Sequence, residues 1–506
     1  MLRSPSLNLI DRWPSTLPNR SIRLLSLRLE SQEEYQMTST PTAITNVHLI
    51  NGHGGLPQRN TTVIVDKDRF STIGPTESTE VPAGATVIDG SNRWMLPGYV
   101  NGNVHLLDAW MFMVGPGTIE YLARWEGRYV EVIEEAAQLE LRNGVTTVFD
   151  TYNAIEPVLT ARDRINAGTS QGARIFAAGA IVGMGGPFSA DFHFAGRKAA
   201  AQSFVNRIDA MFEAGVGHQL SLLPRQEIRP RIRDYLARGV DMLKIAVSDH
   251  IFMTVGLDRS YLTFTRPVLD LMVEEARSVG VPVLSHSLSV ESLETSVDLG
   301  ADVLIHANYT MGQPIPHRLI DKIVASNCYA ELQTIHDEHR KGLEEVGSWA
   351  ALLGGGAFAD NERALIGADA KVLMGTDAGC PSIDHLTDLS PREREDRPWT
   401  LGGDHFHWTQ SMVEKGMTPM QAITAATLSV ARGYGKDHLI GSVETGKLAD
   451  FVLLDSDPLE DIRHLRAITD VYQAGRAVDR ESLPTHPIVS THPADEHPSL
   501  ITGRSR

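Results

Sequence analysis

Six residues of this 506-residue chain have side chains that could together build one hydrolytic metal centre: Asn103, His105, Lys244, His286, His306 and Asp377. Asn103 and His105 close the run LPGYVNGNVH. Lys244 lies in DMLKIAVS, His286 in VLSHS, His306 in VLIHAN and Asp377 in VLMGTDAG. Imidazole, carboxylate and a modified lysine are ligand types that fix a divalent ion while leaving a position for water. The only cysteines are Cys328 and Cys380, so neither a thiolate site nor a disulfide framework is available. Residues two apart on a strand face the same side, which groups Asn103 with His105. A lysine inside the apolar run Met242–Ala246 must be neutralised, paired or modified. Asp377 follows Gly375 and Thr376 and fits either a ligand and base or a turn former.

Positioning these residues requires a particular set of elements. Apolar β-runs at Trp94–Val100, Thr146–Phe149, Arg174–Ile181, Met242–Ala246, Val281–Ser285, Val303–Ile305, Ala330–Gln333 and Lys371–Met374 alternate with helical stretches. That pattern predicts an α/β fold, a parallel (β/α)8 TIM-like barrel over 98–436 with its functional residues at the C-terminal strand ends. Short Val-, Ile- and Thr-rich runs flank it: Ala43–Ile50, Thr62–Asp66, Phe70–Ile73 and Thr86–Asp89 before, and Gly441–Val443, Phe451–Leu454, Ile468–Gln473 and Arg476–Val478 after. They predict a small composite β-sandwich from 42–97 plus 437–482. Residues 1–41 are expected to be a disordered extension, compatible with a gene start set too early, since Met37 opens the first strand-like segment. The tail 483–506 is expected to be unstructured or draped on the surface.

Composition narrows the partners. Forty-six basic and sixty-three acidic residues give a net charge of −17, which argues against nucleic acid and against a basic membrane-binding patch. No apolar run approaches the roughly 18 residues of a transmembrane helix. Few cysteines and no secretory pattern predict a cytoplasmic protein with a small-molecule substrate.

The strand-end series, with MTPMQAITAATLSVARGYG and IGSVETGKLADFVLLDSDPLED near the C-terminus, resembles the amidohydrolase superfamily of metal-dependent hydrolases over about residues 43–480. The resemblance implies one or two divalent ions, zinc first, with cobalt, manganese or iron as alternatives. It implies an N6-carboxylated Lys244 bridging the ions, His286 and His306 on one, and His105 with Asp377 on the other. Asp377 is then also the general base, and a homo-oligomer is implied by analogy. The spacing is similar to the prolidase-like and ochratoxin-amidase-like groups.

Two departures refine the expectation. The superfamily pattern is His-x-His after the first strand, where this chain has Asn103-Val104-His105. An amide oxygen is a weaker ligand than imidazole, so the first metal position should be loosened. Asn103 has three roles open to it: weak coordination, orienting a water, or bonding the backbone. The Asn-x-His variant is similar to a branch of phenylurea and molinate hydrolases, which cleave N–C(=O) bonds. At the fifth strand a second His-x-His is replaced by His286-Ser287-Leu288, an apolar substitution. His250 and Tyr152 lie where substrate contacts are made, and surface-loop roles fit them equally well. The stretch Cys380 to Asp404 is long for a βα loop and fits a lid carrying His385 or a plain surface loop, while Arg392–Arg397 reads as a solvated segment.

The expected activity is hydrolysis of an amide-like C–N bond in an aryl urea, carbamate, thiocarbamate or anilide by metal-activated hydroxide. The alternatives are a prolidase-like or N-acyl-amino-acid hydrolase and, more distantly, a non-catalytic scaffold.

Overall fold

The computed structural model describes residues 40–107, 117–192, 196–250, 261–345, 355–381 and 397–491. Most of the extension expected over 1–41, together with His385 and most of Arg392–Arg397, lies outside the described residues. In chain order the strands are β1 (Thr42–Leu49), β2 (Gln58–Asp66), β3 (Arg69–Pro75), β4 (Thr86–Asp89) and β5 (Trp94–Pro97), followed by β6 (Tyr99–His105), β7 (Val145–Asp150), β8 (Arg174–Ala177) and β9 (Ile181–Val182). Next come β10 (Leu243–Ala246), β11 (Val283–His286), β12 (Val303–Ile305), β13 (Tyr329–Glu331), β14 (Val372–Leu373) and β15 (Ala378–Gly379). The last are β16 (Phe451–Leu454), β17 (Ile468–Gln473) and β18 (Arg476–Ala477).

The central strands are all parallel. They form one arc in the order β14-β13-β12-β11-β10-β9 and another in the order β15-β6-β7-β8. The chain itself joins the arcs, passing from β8 to β9 through 178–180 and from β14 to β15 through 374–377. Arg174–Ile181, read in sequence as one strand, is therefore interrupted. Helices follow the strands with ordinary signals: Ser289 caps Val290–Leu299 reciprocally with Ser292, and Gly300 ends that helix in the left-handed region. Thr418 and Gln421 make the same box ahead of Pro419–Ala425, with Pro419 in the first turn.

The N- and C-terminal strands join in a separate eight-stranded sheet, β18-β17-β16-β5-β1-β2-β3, with β4 on β1. Its chemistry is the expected one, Val, Ile and Thr between Gly and Asn turns, but two pairings differ from small antiparallel strands. β4 and β5 both run parallel to β1. Gly441–Val443 forms no strand; its Val443 N–H donates to the Asn51 carbonyl instead. Ile44, Val63, Phe70, Met95, Phe451 and Leu453 fill the apolar side of this sheet, with Tyr472 stacked on Phe451 at 4.4 Å.

Trp94–Val100 belongs to both sheets. Trp94–Pro97 pairs with β1 and β16, whereas Tyr99 opens the parallel strand β6. Gly98 makes the crossing possible, because a Cβ there would sit 2.4 Å from the Thr146 side chain. The Gly98 N–H donates to the Asp450 carbonyl, and the Asp450 carboxylate pairs with Arg174 of β8 at 2.7 Å. Asp450 also accepts from the Ala474 N–H, so this nearly buried residue ties the start of β6 through its carbonyl, and β8 and the turn from β17 to β18 through its carboxylate. The described part of the tail packs against a helix: Glu135, buried on the helix Tyr129–Arg142, accepts the N–H groups of Ile488, Val489 and Ser490. Arg174→Met leaves Asp450 buried without its counter-ion and is expected to cost about 3 kcal/mol. The check is the denaturation midpoint, which an unimportant junction would leave unchanged.

Candidate functional site

The C-terminal ends of the parallel strands bring all eight residues singled out in the sequence into one cluster. Asp377 is its centre. Its Oδ1 lies 2.8 Å from His105 Nε2 and 3.2 Å from Asn103 Nδ2, which donates to it, while Oδ2 accepts from Gln333 Nε2 at 2.9 Å. Asp377 adopts φ 55° and His306 φ 56°, a left-handed backbone that a non-glycine residue holds only at a cost of order 1–3 kcal/mol. Both turn the chain immediately beyond β14 and β12, aiming the two side chains at the same point.

Lys244, on β10, is almost completely buried and donates from Nζ to Thr151 Oγ1 at 2.9 Å. Burial pulls its amine down to about 8. Thr151 in turn donates to Asn103 Oδ1. Asn103 thus turns its oxygen to Thr151 and its nitrogen to the carboxylates, since it also bonds Glu331. With Asp377 and Glu331 both accepting, the amide nitrogen must face them. Gly375 leaves the room for this contact, because a Cβ there would lie 2.4 Å from Glu331 and 2.7 Å from Asn103.

The imidazoles are buried and crowded. His286 and His306 have ring centroids 5.3 Å apart, and His250 stands 4.4 Å from His286. Burial first, then the neighbouring basic groups, holds His286 well below its ordinary range. Burial lowers His306 to about 3 and His250 to about 4. Among the described residues, neither ring nitrogen of His286 has a hydrogen-bond partner, nor has Nδ1 of His306. Buried polar atoms are ordinarily partnered, so orphans on two adjacent imidazoles mark room for an electrophile. His105 adds a third sign. Its Nδ1 faces the Tyr152 carbonyl at 3.2 Å and donates to it, leaving the lone pair of Nε2 directed at Asp377 Oδ1. A proton or a cation between those two atoms satisfies both. The residues therefore fit a divalent metal.

Charge is divided unequally between the acids. Burial pushes Asp377 up, but His306, the His105 hydrogen bond and Lys244 outweigh it and hold the carboxyl well below the usual range. Glu331 goes the other way, raised to about 8 chiefly by burial. Its Oε2 accepts the His306 N–H at 2.7 Å. Asp150, at the end of β7, rises to about 6, again chiefly through burial.

Tyr152 and His250 form an aromatic wall with Phe192: Tyr152 stacks on Phe192 at 5.1 Å, and His250 meets Phe192 edge-on at 5.3 Å. Leu288 joins Tyr309, Ile335 and Trp399 in a separate apolar cluster. Thr151, Gln333 and Glu331 escaped the sequence reading. Each sits beside an apolar run without local spacing to flag it, and each gains its role from a partner on another strand. One further group of buried acids and imidazole, Glu140, Asp404 and His405, has side-chain ligand atoms within 4.8 Å of one another.

Thr151→Val strips Lys244 of its acceptor and Asn103 of its donor. A loss of about 2–3 kcal/mol in unfolding free energy is expected, recovered in Thr151→Ser. Equal losses in both variants would show that packing, not the hydroxyl, is responsible.

Residues 94–478 match the family model described as the amidohydrolase family. The crystal structure of phenylurea hydrolase B superposes with a TM-score of 0.87 and 76% identity, covering 90% of this chain and 100% of that one. Molinate hydrolase gives a TM-score of 0.87 at 47% identity, covering 90% and 98% of the two chains. The ochratoxinase of Aspergillus niger is 26% identical over 347 residues, and the match spans 66% of that relative and of this chain. Among the described residues no helix is long and apolar enough to cross a membrane. The family match runs from the last strand before the parallel arcs to the end of the eight-stranded sheet, and the chain belongs to the amidohydrolase family.

Proposed function

We propose that this amidohydrolase cleaves the C–N bond of an uncharged amide-like substrate: an aryl urea, a carbamate or thiocarbamate, or an anilide. The observation that carries the reading is the pair of buried imidazoles, His286 and His306, with orphaned ring nitrogens beside the ionised carboxylate of Asp377. High identity to phenylurea hydrolase B and molinate hydrolase supports the choice of bond. The aromatic wall of Tyr152, Phe192 and His250 supports the choice of an apolar, uncharged group next to it.

In this reading His105, Lys244, His286, His306 and Asp377 hold a divalent ion, zinc first, and Lys244 is carboxylated. Asn103 is at most a weak ligand, because its nitrogen faces the carboxylates. A divalent ion bound there supplies Lewis acidity to the substrate carbonyl and lowers the pKa of water toward about 7. Asp377 takes the proton of the attacking water and passes it to the departing nitrogen. Oδ2 suits that task, since Gln333 leaves it a lone pair, whereas Oδ1 meets both His105 and Asn103. Tyr152 and His250 contact the substrate. Products are the free amine and the acid fragment, which for a urea or carbamate is a carbamic or carbonic acid derivative.

We take the two parallel arcs as one (β/α)8 barrel over 98–436, and 42–97 with 437–482 as its composite β domain. We take the protein to be a cytoplasmic homo-oligomer.

Asp377→Asn is expected to lower kcat by about 100-fold or more with little change in KM. Stripping the metal with a chelator should abolish turnover, and added zinc or cobalt should restore it. Assays on matched aryl ureas, thiocarbamates, anilides and N-acyl amino acids check both claims. Near-normal turnover in the variant or in the stripped enzyme overturns the mechanism, and preference for N-acyl amino acids overturns the substrate class.

A further inference from the structure

Beside Asp377, joined to it through Thr376, a second polar network is buried. Asp404 and His405 begin the helix Asp404–Glu414, and Glu140 comes from the helix Tyr129–Arg142. Glu140, Asp404 and His405 are all at most 2% exposed. Asp404 Oδ2 accepts from the Thr376 hydroxyl at 2.5 Å and from Asn101 Nδ2 at 2.9 Å. Asn101 Oδ1 accepts in turn from the Thr376 N–H at 3.2 Å. The Gly402 N–H donates to Glu140 Oε1 at 2.7 Å and to Asp404 Oδ1 at 3.2 Å. Glu140 Oε2 has no hydrogen-bond partner among the described residues, although an oxygen of Glu140 and one of Asp404 lie within 4.8 Å of each other.

Two carboxylates with no arginine or lysine bonded to them among the described residues cannot both stay ionised in so dry a place. Something positive has to stand between them. His405 reaches Asp404 alone and does not stand between the two carboxyls: its Nδ1 lies 3.9 Å from Asp404 Oδ1 and its Nε2 faces the Asn143 carbonyl. A single hydrogen on Glu140 meets the need and gives the orphaned Oε2 a role. Asp404 keeps the charge, which the Thr376 hydroxyl and the Asn101 amide then stabilise. Burial and the Asp404 charge raise Glu140 well above its ordinary value. Asp404 is held low by His405, Thr376 and the Glu140 hydrogen bond, against burial.

We infer that Glu140 and Asp404 share one proton and act as a single positioning unit, which grips Thr376 and Asn101 and thereby fixes Asp377 and Asn103 at the seam of β15 and β6. Thr376 immediately precedes Asp377, whose left-handed backbone needs an outside hold, and Asn101 lies two residues before Asn103 on β6. The Thr376 and Asp377 N–H groups both donate to the Asn103 carbonyl, so the two ends are already laced together. Neither acid touches substrate, and the inference rests on the reading of Asp377 as a ligand and base.

The test uses the full-length holoenzyme with three readouts: zinc retention against a chelator, the denaturation midpoint, and the split of kcat from KM. Glu140→Gln supplies an amide hydrogen where the proton stood, and is expected to keep metal retention and midpoint near the parent. Glu140→Ala is expected to lose both. Asp404→Ala should weaken zinc retention and lower kcat about tenfold or more, with KM within about threefold. Thr376→Val should act in the same direction, and the double variant should be no worse than Asp404→Ala alone, as for residues acting in series. If Asp404→Ala does not fold, Thr376→Val and the two Glu140 variants still decide. Loss of a second equivalent of metal in Glu140→Gln would show a cation in place of the proton and overturn the inference. Additive effects of Asp404→Ala and Thr376→Val would overturn the positioning. If the hydrolytic reading itself fails, no variant turns over, while the contrast in midpoint between Glu140→Gln and Glu140→Ala still tests the shared proton.

Discussion

A single ionised carboxylate in a dry pocket governs the arrangement at the strand ends. Asp377 is buried, and burial alone would return its proton. It stays charged because imidazole, amide and ammonium groups converge on it: His105 and Asn103 on one oxygen, Gln333 on the other, His306 and Lys244 nearby. A second full negative charge in the same pocket, with no cation added to offset it, would undo this. Glu331, raised to about 8, keeps its proton at neutral pH and leaves the charge on Asp377. The two glutamic acids closest to the site, Glu331 and Glu140, are thus both pushed toward their neutral forms, one on each side of the same turn.

How much of this was legible in sequence depends on the range of the interaction. Strand-end residues announce themselves locally: an apolar run followed by His, or Asn103 and His105 at the two-residue spacing of a strand, can be read without any partner. Most of the central parallel strands were legible for the same reason, though Arg174–Ile181 proved interrupted and the parallel pairing of β4 and β5 with β1 was not foreseen. The boundary between the two sheets was not, because nothing in WMLPGYVN distinguishes the half that pairs with β1 and β16 from the half that pairs with β7; only the missing Cβ at Gly98, against Thr146, lets the chain cross. Thr151, Gln333, Glu331 and Asp404 are ordinary polar residues in sequence. Their importance arises from donors and acceptors that are distant along the chain, such as Asn101 with Asp404 or Lys244 with Thr151. The role of Asn103 was left open by residue type and is narrowed by geometry: the two carboxylates on one side of its amide fix which atom they meet.

The loop carrying Phe192 shows how the same economy reaches the substrate side. Backbone N–H groups of Gly185, Gly186 and Phe188 donate to Asp191, Glu213 and Asp209 at 2.8, 3.2 and 2.8 Å. Acidic side chains thus hold a loop whose buried face is aromatic. Phe192 is fixed against Tyr152, and Tyr152 is fixed through its carbonyl to His105, so the aromatic wall and the cluster around Asp377 share one hydrogen-bonded frame. Such a wall gives up little when an uncharged aryl or alkyl group replaces water against it, whereas a free carboxylate there would need a cation to offset its desolvation.

Leu288 completes the argument for an uncharged ligand. It stands where the superfamily pattern has a second histidine of the fifth strand, and it is buried with Tyr309, Ile335 and Trp399 rather than turned toward a polar partner. Tyr309 also stacks on His306 at 5.6 Å, so this apolar cluster reaches the imidazoles directly. Exchanging a hydrogen-bonding ring for an alkyl group removes a donor that could hold a substrate carboxylate and adds surface that favours carbon. Polarity at the strand ends is therefore concentrated on the polar cluster around Asp377, with apolar clusters on both flanks: a distribution suited to a reacting carbonyl carried between uncharged substituents.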